Sequence, residues 1–196
     1  PVDANRSRGG SAGGAAASVP EGMAGASVGT DTGGSVRIPS AACGLVGLKP
    51  SLGEIPTDGV VPLSTTMDHV GPICRSVGDA ALLHDVLRGM AHPQPLQARE
   101  VRGMRLGVPR EYFLAVLDRQ VAAAFHGASE RLTRAGAILE DVTIAHAGDI
   151  APVYLHIVLA EAAAYHAKTL ESRADAYTPN VRIRLEMGRY VLAEDF

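Results

Sequence analysis

The sequence lacks most of the features of nucleic-acid-binding and membrane-surface proteins. Its 196 residues include no tryptophan, and aromatic residues make up only 4% of the chain. Lysine is also scarce, because Lys49 and Lys168 are the only two, against 16 arginines. With 18 basic side chains against 21 acidic ones, the formal charge of -3 provides no basic surplus to neutralise phosphates or anionic lipid. We therefore expect neither a nucleic-acid partner nor a membrane partner.

Cysteines and long apolar runs are few as well. Cys43 and Cys74 are the only cysteines and form no CxxC pair, in a chain long enough to build a core without disulfides. No apolar run approaches the roughly 18 residues of a membrane span, and the polar N-terminus is unlike a signal peptide. These absences predict a cytoplasmic location. Because the chain begins at Pro1 and not at Met, we expect a piece of a longer protein, from which a leader could have been lost.

The seven histidines do not form a metal-binding pattern. They are scattered along the chain, and neither HExxH nor a similarly spaced ligand set occurs. We expect no metal and no other cofactor.

The composition is that of a soluble domain with a core, since 46% of the residues are hydrophobic and 20% are charged. Periodicity predicts helices and strands, with Ser76 as a helix N-cap and a βαβ crossover onto a parallel pair between residues 105 and 139. The fold class is therefore α/β. The predicted elements are a helix-prone stretch at 15–19, a short buried strand at 24–28, a helix starting at Pro39, a strand at 45–48, mostly loop at 53–72, a helix at 77–88, a strand at 105–108, a helix at 118–135, a strand at 137–139, and helices at 152–172 and 179–188.

Two dense glycine clusters lie in the first 40 residues, which hold nine of the chain's 22 glycines. The first is GGSAGG at residues 9–14 and the second is GTDTGGS at residues 29–35, and each presents a serine. Glycine permits positive φ and lets backbone N–H groups converge on an anion or a developing oxyanion. Tight turns at strand ends are the alternative for any single Gly-Gly pair.

Common phosphate-binding and hydrolase motifs do not account for these clusters. The chain has no GxxxxGK[ST], and no GxGxxG follows a strand and opens a helix. A GxSxG string, GASVG at residues 25–29, would make Ser27 a nucleophile on a strand-to-helix elbow. The chain continues into VGTDTGG and not into a helix, so the context argues against that role.

The stretch from Gly9 to Leu83 contains both clusters in order and resembles the signature region of the amidase signature family. Two later segments, RLGVPREYF from Arg105 and AEAAAYH from Ala160, are similar to weaker blocks of that family. The resemblance implies a mixed β-sheet core flanked by helices, incomplete in this chain. It implies a single partial amidase domain at 1–196, with the signature region at 1–90 and the βαβ crossover and later helices at 100–196.

The resemblance also implies a Ser-Ser-Lys amide hydrolase that works through an acyl-enzyme. Ser35 falls at the family's nucleophile, and Ser11 falls at its bridging serine, which is held by a cis peptide bond. Ser11 would pass protons between Ser35 and a lysine, because an alcohol needs a base to become a good nucleophile and a desolvated lysine is one such base. The backbone N–H groups of Thr32, Gly33, Gly34 and Ser35 would form the oxyanion hole.

Asp31 and Arg37 flank the nucleophile and match the family's GTDxGGSxR. We expect them to support the site structurally, through hydrogen bonds and an ion pair that orient the loop, because neither lies where the relay needs a base.

The chain departs from the family pattern at two points. Ala12 replaces the second serine of the usual GGSSGG, and no lysine precedes Ser11, where the family has its base. We therefore expect the catalytic lysine outside this chain, and the chain alone to be inactive. Lys49 matches a position that the family fills with Lys or Arg, and a guanidinium is no base near neutral pH. Lys168 is expected on the surface.

Three functions stay open from the sequence. The first is a cytoplasmic amidase that hydrolyses a small carboxylic amide to acid and ammonia, with that small molecule as its partner and a homodimer as a possible assembly. The second is a catalytically incomplete fragment or pseudoenzyme whose glycine nest binds an anion or an acyl group. The third is the amidase subunit of a tRNA-dependent amidotransferase, although the segment from Glu161 to Tyr177 does not resemble that subunit's usual pattern.

Overall fold

The computed structural model describes residues 5–196, so the first four residues of the predicted domain lie outside the described part of the chain. The described residues form two compact units, one of residues 5–96 with Tyr154–Phe196 and one of Gln97–Val153. The single domain predicted over residues 1–196 stays a prediction.

The strands are β1 (Ser27–Asp31), β2 (Val46–Gly47), β3 (His69–Cys74), β4 (Arg105–Val108) and β5 (Ile138–Asp141). The helices are α1 (Gly13–Ser18), α2 (Arg37–Ala42), α3 (Val77–Leu87), α4 (Arg119–Arg134), α5 (Ile150–Arg173) and α6 (Pro179–Met187), with 3-10 turns at Ala147–Asp149, Ala174–Ala176 and Gly188–Tyr190.

The first unit is built on a three-stranded antiparallel sheet in the order β1-β3-β2. The predicted strand at 24–28 starts three residues later, at Ser27. Residues 53–72, predicted as mostly loop, contain no helix or strand up to Asp68. The prediction does not include β3, which begins at His69 and is the central strand. Pro72 argues against a central strand in the sequence, since it has no N–H to donate. Its carbonyl still accepts a hydrogen bond from the Leu48 N–H at 3.1 Å.

The core of this unit lies directly beneath the two glycine clusters. Ala16 on α1, Val36 and Ile73 on β3 are completely buried and pack together. Val36 immediately follows the second cluster, and Ala12 within the first cluster packs against the same core. Burying a valine or isoleucine side chain stabilises a fold by roughly 1.5–3 kcal/mol. Burial of Val36 and packing of Ala12 against this core therefore hold the two clusters in place.

The helix ends follow the signals in the sequence. Ser76 caps α3, since its Oγ accepts a hydrogen bond from the Asp79 N–H at 3.1 Å. Gly89 follows that helix with a φ of 79°, a conformation that suits glycine. α2 begins at Arg37, two residues before the predicted start at Pro39. Proline is tolerated there because the first helical N–H groups lack intrahelical partners.

The second unit contains the predicted βαβ crossover. β4 and β5 pair in parallel, with Arg105 opposite Ile138, and α4 connects them. Asp118 caps α4 by accepting a hydrogen bond from the Gln120 N–H at 2.8 Å, and Gly136 follows the helix with a φ of 95°. This part of the α/β prediction is confirmed.

One helical stretch, Ala147–Ala176, is long and apolar enough by length and composition to cross a membrane, with a best window of mean hydropathy 1.2. Helices in the cores of soluble proteins pass the same test. Glu161 on this stretch accepts a hydrogen bond from Ser64, and Leu170 packs with Leu185 of α6. Two residues of this stretch therefore contact other parts of the same unit.

Candidate active site

The loop that carries Ser35 is closed by the carboxylate of Asp31. Asp31 is the last residue of β1 and is completely buried. Its Oδ1 accepts hydrogen bonds from the Gly34 N–H at 2.7 Å and from Arg37 Nη2 at 2.8 Å. Its Oδ2 accepts from Arg37 Nε at 2.9 Å, from the Val36 N–H at 3.2 Å and from the Arg37 N–H at 3.3 Å. Five donors on one carboxylate hold the chain from Asp31 to Arg37 in a tight loop.

The electrostatics of this loop favour an ionised Asp31. Burial alone raises the pKa of the Asp31 carboxyl, but the hydrogen bonds from the Arg37 side chain and from the Arg37 and Val36 N–H groups outweigh it and lower the pKa to about 2. The same hydrogen bond raises the pKa of the Arg37 guanidinium, against the opposing effect of its partial burial. Both groups are charged at neutral pH, so the fork of Arg37 locks onto the carboxylate as a bidentate pair.

The second cluster needs glycine at Gly34. Gly34 has a φ of 134°, and a Cβ there would lie 2.6 Å from Ile38 Cδ1. The Gly34 N–H already donates to Asp31, which differs from the expectation that it belongs to the oxyanion hole. An N–H has one hydrogen, and here that hydrogen orients the loop. Three of the four expected N–H donors remain for that role, on Thr32, Gly33 and Ser35.

A backbone hydrogen bond joins the first cluster to the second. The Ala12 N–H donates to the carbonyl of Ser35 at 3.3 Å, so the residue after Ser11 contacts the residue expected to be the nucleophile. The peptide bond between Gly10 and Ser11 is cis, as the resemblance implies. Ser11 is exposed and Ser35 is half-buried. The structure thus brings the two serine-bearing loops together although the serines are 24 positions apart in the chain.

Ser27, Lys49 and Lys168 are the other candidates from the sequence. Ser27 begins β1, where its Oγ is 3.3 Å from Ser18 Oγ, so it is not on a strand-to-helix elbow. Lys49 Nζ donates to the Pro50 carbonyl at 2.6 Å, and Lys168 is exposed on α5. Among residues 5–196, no group of three or more His, Cys, Asp or Glu side chains is arranged to hold a metal ion.

Tyr154 contacts the site and is not indicated by the sequence. A Cβ built on Gly33 would lie 2.5 Å from Cζ and 2.6 Å from the hydroxyl oxygen of Tyr154. The ring at the start of α5 therefore lies directly on the Gly33 backbone. Burial, followed by the nearby charges of Asp31 and Asp68, raises the pKa of the Tyr154 phenol. Only a long-range contact reveals this residue, since it precedes the AEAAAYH segment and belongs to no motif of its own.

Replacing Gly33 by alanine is expected to lower turnover about 100-fold, because the new Cβ forces either Tyr154 or the loop to move, and an error of about 1 Å in a catalytic group has an effect of that size. Steady-state kinetics of Gly33→Ala measure it. Gly78→Ala is the matched control, since a Cβ at Gly78 on α3 makes only an ordinary 3.7 Å contact with Ser76 Oγ and alanine favours a helix. Wild-type turnover of Gly33→Ala would show that the Tyr154 contact does not constrain the loop.

Comparison with known proteins identifies the family. The Amidase family model matches residues 1–196, and the chain therefore belongs to the amidase family. It is 42% identical over 181 residues to an amidase of Pseudomonas putida, across 86% of this chain and 39% of that protein. It is 35% identical over 226 aligned residues to a glutamyl-tRNA(Gln) amidotransferase subunit from Roseiflexus sp. (strain RS-1), across all of this chain and 46% of that protein.

The fold is shared with solved amidase structures. A crystal structure of an amidase superposes with a TM-score of 0.88 at 38% identity, over 99% of this chain and 44% of that one. A bacterial aryl acylamidase of the amidase signature family superposes with a TM-score of 0.78 at 25% identity, over 96% of this chain and 43% of that one. The mixed helix-and-sheet fold expected from the resemblance is confirmed. The chain spans less than half the length of each relative that it matches here.

Proposed function

We propose that the protein containing this chain is an amidase that hydrolyses a small carboxylic amide to acid and ammonia through an acyl-enzyme on Ser35. One observation carries the proposal: the hydrogen bond from the Ala12 N–H to the Ser35 carbonyl, which joins the loops of the two serines. Family membership supports the chemistry, since the Pseudomonas putida protein is named an amidase and the Roseiflexus protein is named an amidotransferase subunit.

In this mechanism Ser35 Oγ attacks the amide carbonyl while Ser11 accepts the proton of Ser35 and passes its own to a lysine outside this chain. A C–O bond forms, and the N–H groups of Thr32, Gly33 and Ser35 stabilise the negative oxygen. Ser11 then donates a proton to the leaving nitrogen, and the C–N bond breaks to release ammonia. Water attacks the resulting ester by the same route in reverse and frees the acid. Asp31 and Arg37 orient the loop and take no part in proton transfer.

The test uses the protein expressed from its full reading frame and a panel of small carboxamides, with ammonia release as the readout. Hydroxylamine should divert part of the product to a hydroxamate, because an acyl-enzyme can be attacked by any accessible nucleophile. Ammonia and the hydroxamate should form from the same amide, and the rates of both should saturate at the same amide concentration. Ammonia release without hydroxamate, over a wide range of hydroxylamine, would contradict the acyl-enzyme, and a panel without any ammonia release would contradict the amidase.

The 196-residue chain alone is expected to show no ammonia release, because neither of its two lysines stands before Ser11, where the family has its base. Lys49 donates to Pro50 and Lys168 is exposed on α5. Parallel assays of the chain and of the full reading frame measure the difference. Activity in the isolated chain that disappears in Lys49→Ala would instead identify Lys49 as the base. Complete inactivity of both proteins would favour the alternative of a pseudoenzyme with an acyl-binding or anion-binding nest.

A second candidate is the amidase subunit of a tRNA-dependent amidotransferase. The alignment to such a protein over the whole chain favours it. This candidate predicts ammonia release from glutamine, together with a stable complex with a companion tRNA-binding protein, whereas the amidase needs no companion. Co-purification from the native host separates the two.

The proposed partner of the amidase is a small-molecule amide, and the proposed location is the cytoplasm. A homodimer is the proposed assembly, which light scattering of the purified protein tests directly. A monomer at all protein concentrations would contradict the proposed homodimer and leave the amidase proposal unaffected.

A further inference from the structure

A chain of hydrogen bonds leads from the loop that carries Ser35 to helix α5. Thr32 Oγ1 donates to Asp68 Oδ1 at 2.5 Å, and Asp68 Oδ2 accepts from the Ser64 N–H at 3.1 Å. Ser64 Oγ donates in turn to Glu161 Oε2 at 2.5 Å. Ser64 is completely buried, and Thr32, Asp68 and Glu161 are each partly buried. In order, this chain of hydrogen bonds joins Thr32, Asp68, Ser64 and Glu161.

Asp68 is the branch point of this chain, because its two carboxylate oxygens bind different segments. Oδ1 accepts the Thr32 hydroxyl. Oδ2 accepts the backbone N–H groups of Leu63 at 2.8 Å and Ser64 at 3.1 Å. The same side chain thus fixes the turn before β3 and the residue that follows β1.

Glu161 anchors that turn to α5. Besides Ser64, the Thr66 hydroxyl donates to Glu161 Oε1 at 2.7 Å, and the Thr66 N–H donates to Oε2 at 3.2 Å. Burial raises the pKa of the Glu161 carboxyl, but the hydrogen bonds from Ser64 and Thr66 outweigh it and lower the pKa. Glu161 is therefore ionised at neutral pH, the state in which a carboxylate accepts several hydrogen bonds most strongly. Tyr154, two helical turns earlier on α5, contacts Gly33.

We propose that Asp68 is a positioning residue for the oxyanion hole, which it orients by holding the hydroxyl of Thr32. Glu161 on α5 fixes the turn that precedes Asp68. The inference rests on the proposed amidase function. Thr32 supplies one of the remaining N–H donors, and a donor stabilises an oxyanion only when its direction is set before the reaction. The Asp31 carboxylate orients the later part of the loop, from Gly34 onward. The Asp68 carboxylate performs the corresponding task at Thr32, before the glycines begin.

The decisive variants are Thr32→Val, which removes the hydroxyl at nearly constant shape, and Thr32→Ser, which restores it. In the protein expressed from its full reading frame, Thr32→Val should lower kcat about 10- to 100-fold and change KM by less than about threefold, because the oxyanion forms only in the transition state. Thr32→Ser should recover most of the lost kcat. Thr169→Val, an exposed site on α5, is the matched control and should leave kcat and Tm unchanged.

A double-mutant cycle tests whether Asp68 acts through Thr32. Asp68→Asn alone should lower kcat, since one amide group cannot accept from both Thr32 and the turn. In a Thr32→Val background the same change should lower kcat by less than about twofold, because the contact is already gone. Losses that multiply, or a Thr32→Val enzyme with wild-type kcat and only a lower Tm, would overturn the inference while leaving the amidase function intact. A wild-type protein without amidase activity would overturn both.

Discussion

Ser35→Ala is expected to reduce ammonia release by at least about 10,000-fold in the protein expressed from its full reading frame, because removal of the nucleophile of a serine hydrolase leaves only binding and oxyanion stabilisation. The residues on both sides of Ser35 are held in place by the fold. Asp31 holds Gly34 on one side of Ser35, and Val36 is buried on the other. The measurement is steady-state ammonia release, accompanied by the mass increase of the protein on reaction with a fluorophosphonate.

Ser27→Ala is the matched control for this experiment. Ser27 lies in the GxSxG string, and its hydroxyl is next to Ser18 Oγ at the start of β1. It should keep both turnover and labelling. Undiminished turnover of Ser35→Ala, or a fluorophosphonate adduct found on Ser27, would show that the nucleophile is assigned to the wrong serine.

The parts of the fold that follow from local chemistry could be predicted. The cap at Ser76 and the glycine stops at Gly89 and Gly136 depend on residues within one or two turns of the chain, and the structure has them as expected. The parallel pairing of β4 with β5 follows from the short crossover between them. Both serine-bearing loops are recognisable because glycine clusters leave a strong compositional signal.

Most of the contacts that the sequence does not predict join segments that are distant in the chain. Glu161 binds Ser64 across 97 positions, and Thr32 binds Asp68 across 36. Both acidic residues lie in segments that carry the family resemblance, but no spacing rule indicates their partners. The hydrogen bond from the Gly34 N–H to Asp31 is local, but the sequence does not predict it either, because a glycine nest looks the same in the sequence whether its donors face a ligand or a neighbouring carboxylate.

Asp31→Ala is expected to lower the free energy of unfolding by about 3–5 kcal/mol, because each buried N–H group left without its acceptor costs roughly 1–3 kcal/mol. The change leaves three backbone N–H groups and the Arg37 guanidinium without the carboxylate that they all donate to. Urea unfolding of the wild type and the variant measures the loss. Arg37→Ala is the matched control and should cost less, because the Arg37 side chain is half exposed and the backbone donors keep Asp31 as their acceptor. Equal losses for both variants would mean that the ion pair, and not the backbone hydrogen bonds, holds the loop.

At low pH the free energy of unfolding should depend on the ionisation of the Asp31 carboxylate. The pKa of Asp31 falls from the ordinary 3.8 to about 2 on folding, so the unfolded chain binds this proton at a higher pH than the folded one. The resulting stability is fully present above about pH 4 and is lost as the pH falls through 2, and a shift of that size corresponds to roughly 2 kcal/mol. Asp31→Asn cannot titrate, so its free energy of unfolding should fall less steeply than that of the wild type between pH 4 and pH 2. Parallel slopes for the two proteins over that interval would show that other carboxylates govern the acid transition, and that Asp31 contributes to the loop through its shape alone.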